Sequence, residues 1–137
     1  GDGWRLGIET PQVGSIPGAS LHAVGRLREG ALATSGNYRN RYVVDGHELG
    51  HTMDPRTGRP TESTTLSASV VAPTCRTADG LATALMVMDI DKALSLAEKS
   101  NVAAYFIYKV GASEKGHVVK TTSAWESIFG SRKGGSK

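Results

Sequence analysis

A carboxylate and a hydroxyl lie four residues apart in the segment Ala78-Asp79-Gly80-Leu81-Ala82-Thr83-Ala84. In a helix, Asp79 and Thr83 share one face a turn apart. Hard oxygen ligands of this kind suit Mg²⁺, which also keeps positions for water or phosphate oxygens. The pair is therefore a candidate half-site for a metal ion that holds a pyrophosphate. A structural role fits the same residues, with Asp79 complementing the helix dipole and Thr83 bonding back to a carbonyl, and spacing alone leaves both open.

A second pattern has the H-E-x-x-H spacing of zinc metallopeptidases and consists of His47-Glu48-Leu49-Gly50-His51. That spacing holds zinc only on a helix, where both imidazoles share one face. Asp45-Gly46 precedes the five residues and Asp54-Pro55 follows them, which leaves no room for a helix of sufficient length. In a strand the two histidines lie about 13 Å apart, too far for one metal ion. We therefore rank a zinc peptidase well below a magnesium site.

Alternating or β-branched residues bounded by glycine and proline predict the strands. The clearest strand covers 65–72. Asp45-Gly46 signals a tight hairpin between 42–44 and 47–49, and prolines that bracket a glycine predict an irregular loop over 54–60. Further strands are predicted over 4–10, 21–27, 102–110 and 117–122, with a polar turn over 111–116 and a short apolar run over 31–34 that leads into a small-residue loop over 34–37.

Helical spacing of apolar residues begins at Thr77, which predicts Thr77 as the cap and places Asp79 in the first turn. Shorter helices are predicted over 91–99 and 125–129. Strands dominate, and the helices gather in the C-terminal half. The pattern predicts an α+β fold with antiparallel sheets and two to three helices.

Charge is nearly balanced along most of the chain. Lys and Arg number 16 against 13 Asp and Glu, but Arg132, Lys133 and Lys137 lie in the last six residues. Because the excess charge lies in a Ser/Gly-rich end, we exclude a nucleic-acid partner and interpret 131–137 as a disordered tail or one left by cloning. No apolar run approaches the length of a transmembrane segment. Cys75, the single cysteine, is expected to be a small buried thiol.

Four motifs follow one another in order: A-T-S-G-N-Y-R over 33–39, H-T-M-D-P-R-T-G-R-P over 51–60, S-V-V-A-P-T-C over 69–75 and A-D-G-L-A-T-A over 78–84. With this order and these gaps, the chain resembles the FAD:protein FMN transferase (ApbE) family. The similarity covers essentially all of residues 1–130. It implies that this stretch is the C-terminal part of an ApbE or T-fold-like domain.

The resemblance implies an enzyme that binds FAD and Mg²⁺, cleaves the FAD pyrophosphate and transfers FMN to a threonine of an acceptor protein. Some relatives mainly hydrolyse FAD to FMN and AMP. Carried over by motif, Asp79 and Thr83 are the metal ligands, and His51 is the base for the acceptor hydroxyl. Ser35, Gly36, His51 and Ser67 are the candidate flavin-binding residues.

Members of the family also carry a long N-terminal half that supplies a metal ligand and much of the flavin pocket. The resemblance therefore implies an incomplete domain that needs this half or a second chain to complete the site. It also implies a periplasmic or membrane-anchored location. A flavin-binding fragment without catalysis and an inert structural fragment remain as alternatives.

Overall fold

The computed structural model describes residues 1–11, 16, 20–37, 41–110 and 116–130, and for 41–43, 47 and 48 it describes the backbone alone. The predicted tail over 131–137 and most of the predicted turn over 111–116 lie outside these residues. The described part of the chain forms β1 (Trp4–Glu9), β2 (Leu21–Leu27), β3 (Ala31–Gly36), β4 (Arg41–Val44), β5 (His47–Gly50), β6 (Met53–Asp54), β7 (Arg59–Pro60), β8 (Thr65–Ala72), α1 (Cys75–Met86), α2 (Ile90–Lys99), β9 (Ala103–Lys109), β10 (His117–Thr121) and α3 (Ser123–Phe129).

The largest sheet among the described residues has four strands in the order β10-β9-β8-β3, and each neighbouring pair is antiparallel. β8 lies in the interior of this sheet, and all of its residues except the half-buried Val71 are buried. Small and β-branched side chains let both faces of the strand pack closely. The α+β fold with antiparallel sheets and the strand over 65–72 are confirmed.

Different elements cover the two faces of this sheet. α1 and α2 pack on one face, where Leu85 joins Phe106 in an apolar core. On the opposite face Ile8 of β1 and Trp125 of α3 pack with Tyr105. Because neighbouring residues on a strand point to opposite faces, this division decides which way each candidate residue on β3 and β8 points.

The hairpin between β4 and β5 turns at Asp45 and Gly46, which both have positive φ angles, of 51° and 79°. Turns of this kind match the twist of the flanking strands, and an Asp-Gly pair tolerates them. β5 contains four of the five H-E-x-x-H residues, and His51 follows its end. The extended backbone removes the shared helical face on which a zinc peptidase places its two histidines.

Two loop predictions are corrected. The apolar run over 31–34 belongs to a longer strand that continues through Ser35 and Gly36, because both residues pair with β8. The loop over 54–60 is not wholly irregular, since its ends pair as β6 and β7. Pro60 fits there because it ends a two-residue strand and so interrupts no longer ladder.

The two shorter helices begin slightly earlier than predicted. α2 begins at Ile90, where Asp89 Oδ1 accepts a hydrogen bond of 3.1 Å from the backbone N–H of Asp91. α3 begins at Ser123, where Thr122 Oγ1 accepts from the backbone N–H of Trp125 at 3.3 Å. Both starts follow from side-chain caps that satisfy N–H groups left unpaired at a helix N-terminus.

Candidate active site

α1 begins earlier than predicted, and this changes the place of Asp79 in it. Thr74 is the N-cap, with its Oγ1 accepting a hydrogen bond of 3.2 Å from the backbone N–H of Thr77. The prediction that Thr77 caps the helix and Asp79 lies in the first turn is therefore wrong, and that turn holds no acidic residue. Cys75 is also exposed rather than buried, as the first residue of α1. The dipole role for Asp79 loses support, because that effect falls off within the first turn.

Asp79 and Thr83 lie on the exposed face of α1, one turn apart. The opposite face of α1 packs on the sheet. Thr83 Oγ1 shares a hydrogen bond of 2.8 Å with Ser35 Oγ of β3. Asp79 has no hydrogen-bond or ion-pair partner within the described residues. The structure thus brings Ser35, Thr83 and an uncommitted carboxylate to one surface.

The donors of this surface are oxygens: the Asp79 carboxylate and the hydroxyls of Ser35 and Thr83. A carboxylate with neutral oxygens matches Mg²⁺, whereas zinc sites use mainly imidazole and thiolate ligands. No group of three or more His, Cys, Asp or Glu side chains with metal-ligand geometry occurs among the described residues. The residues present therefore fit Mg²⁺ as part of a coordination sphere, with positions left for water, phosphate or other protein oxygens.

Ser67 points away from this surface. Ser35 pairs with Ala68 across β3 and β8, and Gly36 pairs with Ser67. Paired residues share a face and adjacent residues alternate. Ala68 lies in the core under α1, so Ser67 points to the opposite face. Its side chain is 2% exposed, and its hydroxyl has no hydrogen-bond partner within the described residues.

His51 lies in the bend between β5 and β6, and its side chain is exposed. The side chain of His47 is not described. The structure thus groups Ser35 with Thr83 and Asp79, whereas Ser67 lies on the opposite face of the sheet.

The loop after His51 is fixed by an ion pair between Asp54 and Arg56. Arg56 Nη2 donates to Asp54 Oδ2 at 2.7 Å, and Arg56 Nε donates to Oδ1 at 3.0 Å. The Arg56 backbone N–H also donates to Asp54 Oδ1 at 2.9 Å. These bonds hold the pKa of the Asp54 carboxyl below its usual value and raise the pKa of Arg56. Asp54 and Arg56 therefore shape the loop that carries His51.

Residues 61–63 connect this loop to the end of α1, which the sequence analysis did not foresee. Ser63 Oγ donates a hydrogen bond of 2.8 Å to the Met88 carbonyl, and Thr61 Oγ1 donates to the Val87 carbonyl at 3.4 Å. An open cavity of about 660 Å³ lies between the loop and these residues. The sequence hints at this contact only through the alternating hydroxyl residues at 61, 63 and 65. That alternation does not reveal a hydrogen-bond partner about 25 residues away.

A protein-family model matches residues 1–106, and it describes the ApbE family. The chain belongs to the ApbE family. Among similar proteins is the FAD:protein FMN transferase of Haemophilus influenzae, 38% identical over 93% of this chain and 36% of its own length. The FAD:protein FMN transferase of Escherichia coli K12 is 39% identical over 82% of this chain and 31% of its own length.

Solved structures of ApbE proteins have the same fold. The apo flavinyl transferase ApbE of Pseudomonas stutzeri is 35% identical with a TM-score of 0.76, over 95% of this chain and 38% of that one. The flavin transferase ApbE of Vibrio cholerae is 34% identical with a TM-score of 0.74, over 93% of this chain and 38% of that one. The chain thus spans about a third of the length of the curated ApbE relatives it matches.

None of the helices described here is long and apolar enough to cross a membrane.

Proposed function

We propose that this chain forms part of an FAD:protein FMN transferase, which moves FMN from FAD to a threonine of an acceptor protein with the help of Mg²⁺. Relatives of that name support flavin transfer. The observation that carries the proposal is the exposed oxygen group of Asp79, Thr83 and Ser35, joined by the hydrogen bond of 2.8 Å between the two hydroxyls. These oxygens suit Mg²⁺, and Mg²⁺ in turn binds phosphate oxygens such as those of the pyrophosphate that must be cleaved.

Asp79 and Thr83 would hold Mg²⁺ at this surface. The ion, when bound, offsets the negative charge that develops on the phosphate oxygens during transfer. Ser35 holds the hydroxyl of Thr83 in place through their shared hydrogen bond. Asp79 is left available as a ligand because no described residue pairs with it.

His51 takes the proton of the acceptor threonine. The threonine oxygen forms a bond to the FMN phosphorus of FAD, the bond from that phosphorus to the bridging oxygen breaks, and AMP leaves. An imidazole suits the proton transfer because its usual pKa lies near neutral pH. The exposed position of His51 between β5 and β6 supports access by a protein substrate.

Ser35, Gly36, His51 and Ser67 contribute to flavin or nucleotide binding in this proposal. Ser67 lies on the opposite face of the sheet from Ser35, so the two hydroxyls belong to different surfaces of the sheet. The buried, unpaired hydroxyl of Ser67 supports a role as a ligand contact, since such groups normally have a partner.

Other polypeptide completes the site in this proposal, either as a further part of the same protein or as a second chain. Support comes from the relatives, of which this chain spans about a third. A periplasmic or membrane-anchored location is proposed with the same assignment.

The experiment is an incubation of the complete protein that contains this chain with FAD, MgCl₂ and a candidate acceptor protein. We expect AMP in solution and a covalent flavin on one threonine, both lost when EDTA replaces MgCl₂. AMP with free FMN and no labelled threonine would favour FAD hydrolysis instead. FAD that stays intact would contradict the proposal.

A further inference from the structure

Residues 61–63 form a junction between the loop that carries His51 and the helix that carries Asp79 and Thr83. The backbone N–H of Thr61 donates to the Thr52 carbonyl at 2.9 Å, directly after His51. The hydroxyl groups of the junction bind the other side, at residues 87 and 88 just past the end of α1. The junction therefore contacts Thr52, next to His51, and the two residues that follow α1.

The junction is stiffened by its own hydrogen bonds. Thr61 Oγ1 accepts from the backbone N–H of Ser63 at 3.2 Å, and Ser63 Oγ accepts from the backbone N–H of Thr65 at 3.2 Å. Each hydroxyl thus accepts from the residue two positions on and donates to a carbonyl near the end of α1. Thr61 is 8% exposed, so water competes little for these bonds.

The carbonyls that receive these bonds lie just past the C-terminal end of α1. The last carbonyls of a helix and those just beyond it lack partners within the helix and need side chains or water. Thr61 and Ser63 satisfy those of Val87 and Met88 directly. A shift of the junction therefore shifts the His51 loop against α1.

We propose that Thr61 and Ser63 are positioning residues that set the distance between His51 and the oxygen group of Asp79 and Thr83. This inference rests on the proposed function, because it assigns His51 and the α1 pair to one reaction. Reacting groups must be held within a fraction of an ångström, and a displacement of 1 Å can lower the rate by about 10²-fold. Thr61 and Ser63 touch neither substrate nor metal in this assignment and act through the two elements that they join.

The test compares variants that remove a hydroxyl with variants that keep it, in the complete protein. Ser63→Ala and Thr61→Val remove the hydroxyls, Ser63→Thr and Thr61→Ser keep them, and Glu62→Gln changes the exposed residue between them. The readouts are kcat and KM for FAD at saturating Mg²⁺, melting temperature, and amide hydrogen exchange over 52–54. Rates are compared well below the lowest melting temperature.

We expect Ser63→Ala and Thr61→Val to lower kcat by about 10-fold or more, with KM for FAD changed by less than about 3-fold. Exchange over 52–54 should become faster in both. Ser63→Thr, Thr61→Ser and Glu62→Gln should keep kcat within about 3-fold of the parent.

A lower melting temperature with unchanged kcat would overturn the inference, because it would show that Thr61 and Ser63 stabilise the fold without positioning His51. Equal losses of kcat in Ser63→Ala and Glu62→Gln would overturn it as well. These outcomes need an active parent protein, whereas a parent that fails to cleave FAD would count against the proposed function itself.

Discussion

Thr83 and Asp79 are available for chemistry because of the contacts that each residue makes. Thr83 bonds to Ser35 across from α1 rather than to a carbonyl of its own helix, and Asp79 lies past the first turn of α1 without a described partner. Both structural roles that the sequence left open are thereby weakened. A carboxylate exposed next to fixed hydroxyls is suited to a hard cation.

Substitution of His51 and of His47 distinguishes a flavin transferase from a zinc peptidase built on the H-E-x-x-H pattern. His51→Asn should lower flavin transfer by about 10²-fold or more, because it removes the proposed general base. His47→Asn is the matched control and should change the rate little, since His47 lies on β5 before the bend. Initial rates of covalent flavin formation provide the measurement. Equal losses in the two variants, together with bound zinc, would reverse the assignment.

We predict that the loop held by the Asp54 and Arg56 ion pair is sensitive to acid. Its pKa lies below the ordinary 3.8 because Arg56 donates hydrogen bonds to the charged carboxylate. A carboxyl whose pKa is lowered on folding stabilises the folded loop above its unfolded pKa, and this stabilisation is lost as pH falls through the folded value. Amide exchange at Thr57 and Gly58 should therefore be protected at pH 5 to 7 and lose protection only below about pH 4.

The control for this pH effect is Asp54→Asn, which removes the titrating carboxyl and the ion pair. Its loop amides should exchange faster than those of the parent at pH 6, and their protection should no longer show a step in acid. An unchanged acid step in Asp54→Asn would assign the titration to another group.

At the scale of elements, α1 contains Gly80, a glycine that the helix backbone does not require. Gly80 has no positive φ, and a Cβ added there meets no atom within 4 Å. Gly80→Ala should therefore stabilise the chain by roughly 0.5–1 kcal/mol, since alanine restricts the unfolded chain and favours the helix. Urea denaturation of the chain measures the change.

The matched control is Gly25→Ala in β2, where a Cβ would overlap the ring of Phe129. That variant should lower the free energy of unfolding, because overpacking costs roughly 1–3 kcal/mol. A destabilised Gly80→Ala would mean that α1 is packed at Gly80 by something that the described contacts do not include.

The elements that the sequence predicted well are those with a local signal. The strand over 65–72 and the hairpin turn at Asp45-Gly46 follow from β-branched alternation and a two-residue turn pair. The start of α1 was missed because Thr74 and Thr77 are both good caps, and only the extended backbone of Thr74 (φ −130°, ψ 152°) decides between them.

The arrangement of the site needed three-dimensional information. Ser35 and Ser67 carry the same hydroxyl, yet the strand register places them on opposite faces of the sheet. The bond from Ser63 to the Met88 carbonyl spans 25 residues and has no local signature. Motif order indicated Asp79 and Thr83 as candidate metal ligands, whereas the contact of Thr83 with Ser35 depends on the packing of β3 against α1.

For the molecule as a whole, β3 is an edge strand of the main sheet within the described residues, and it contains no charged side chain. Trp4 is 80% exposed. Uncharged edges and exposed aromatic residues favour association. We therefore predict that the 137-residue chain by itself self-associates, swaps an element or keeps an added N-terminal fragment bound, and cleaves little FAD.

Size-exclusion chromatography with light scattering and an AMP-release assay on this chain test both parts. Thr34→Lys, which puts a charge on the exposed edge strand, should reduce association, whereas Thr64→Lys before β8 should not. A monomer with full turnover would contradict the prediction.

The most direct test of the central claim is Mg²⁺-dependent AMP release from FAD by the complete protein and three variants. Asp79→Ala and Thr83→Val should each lower the rate by about 10²-fold or more, because loss of an ion ligand removes charge stabilisation from the transition state. Asp91→Ala removes an exposed carboxylate of α2 that pairs with Lys120 and should leave the rate nearly unchanged. Circular dichroism should show the same fold in all four proteins. Full activity in both Asp79→Ala and Thr83→Val would contradict the assignment of this surface as the metal site.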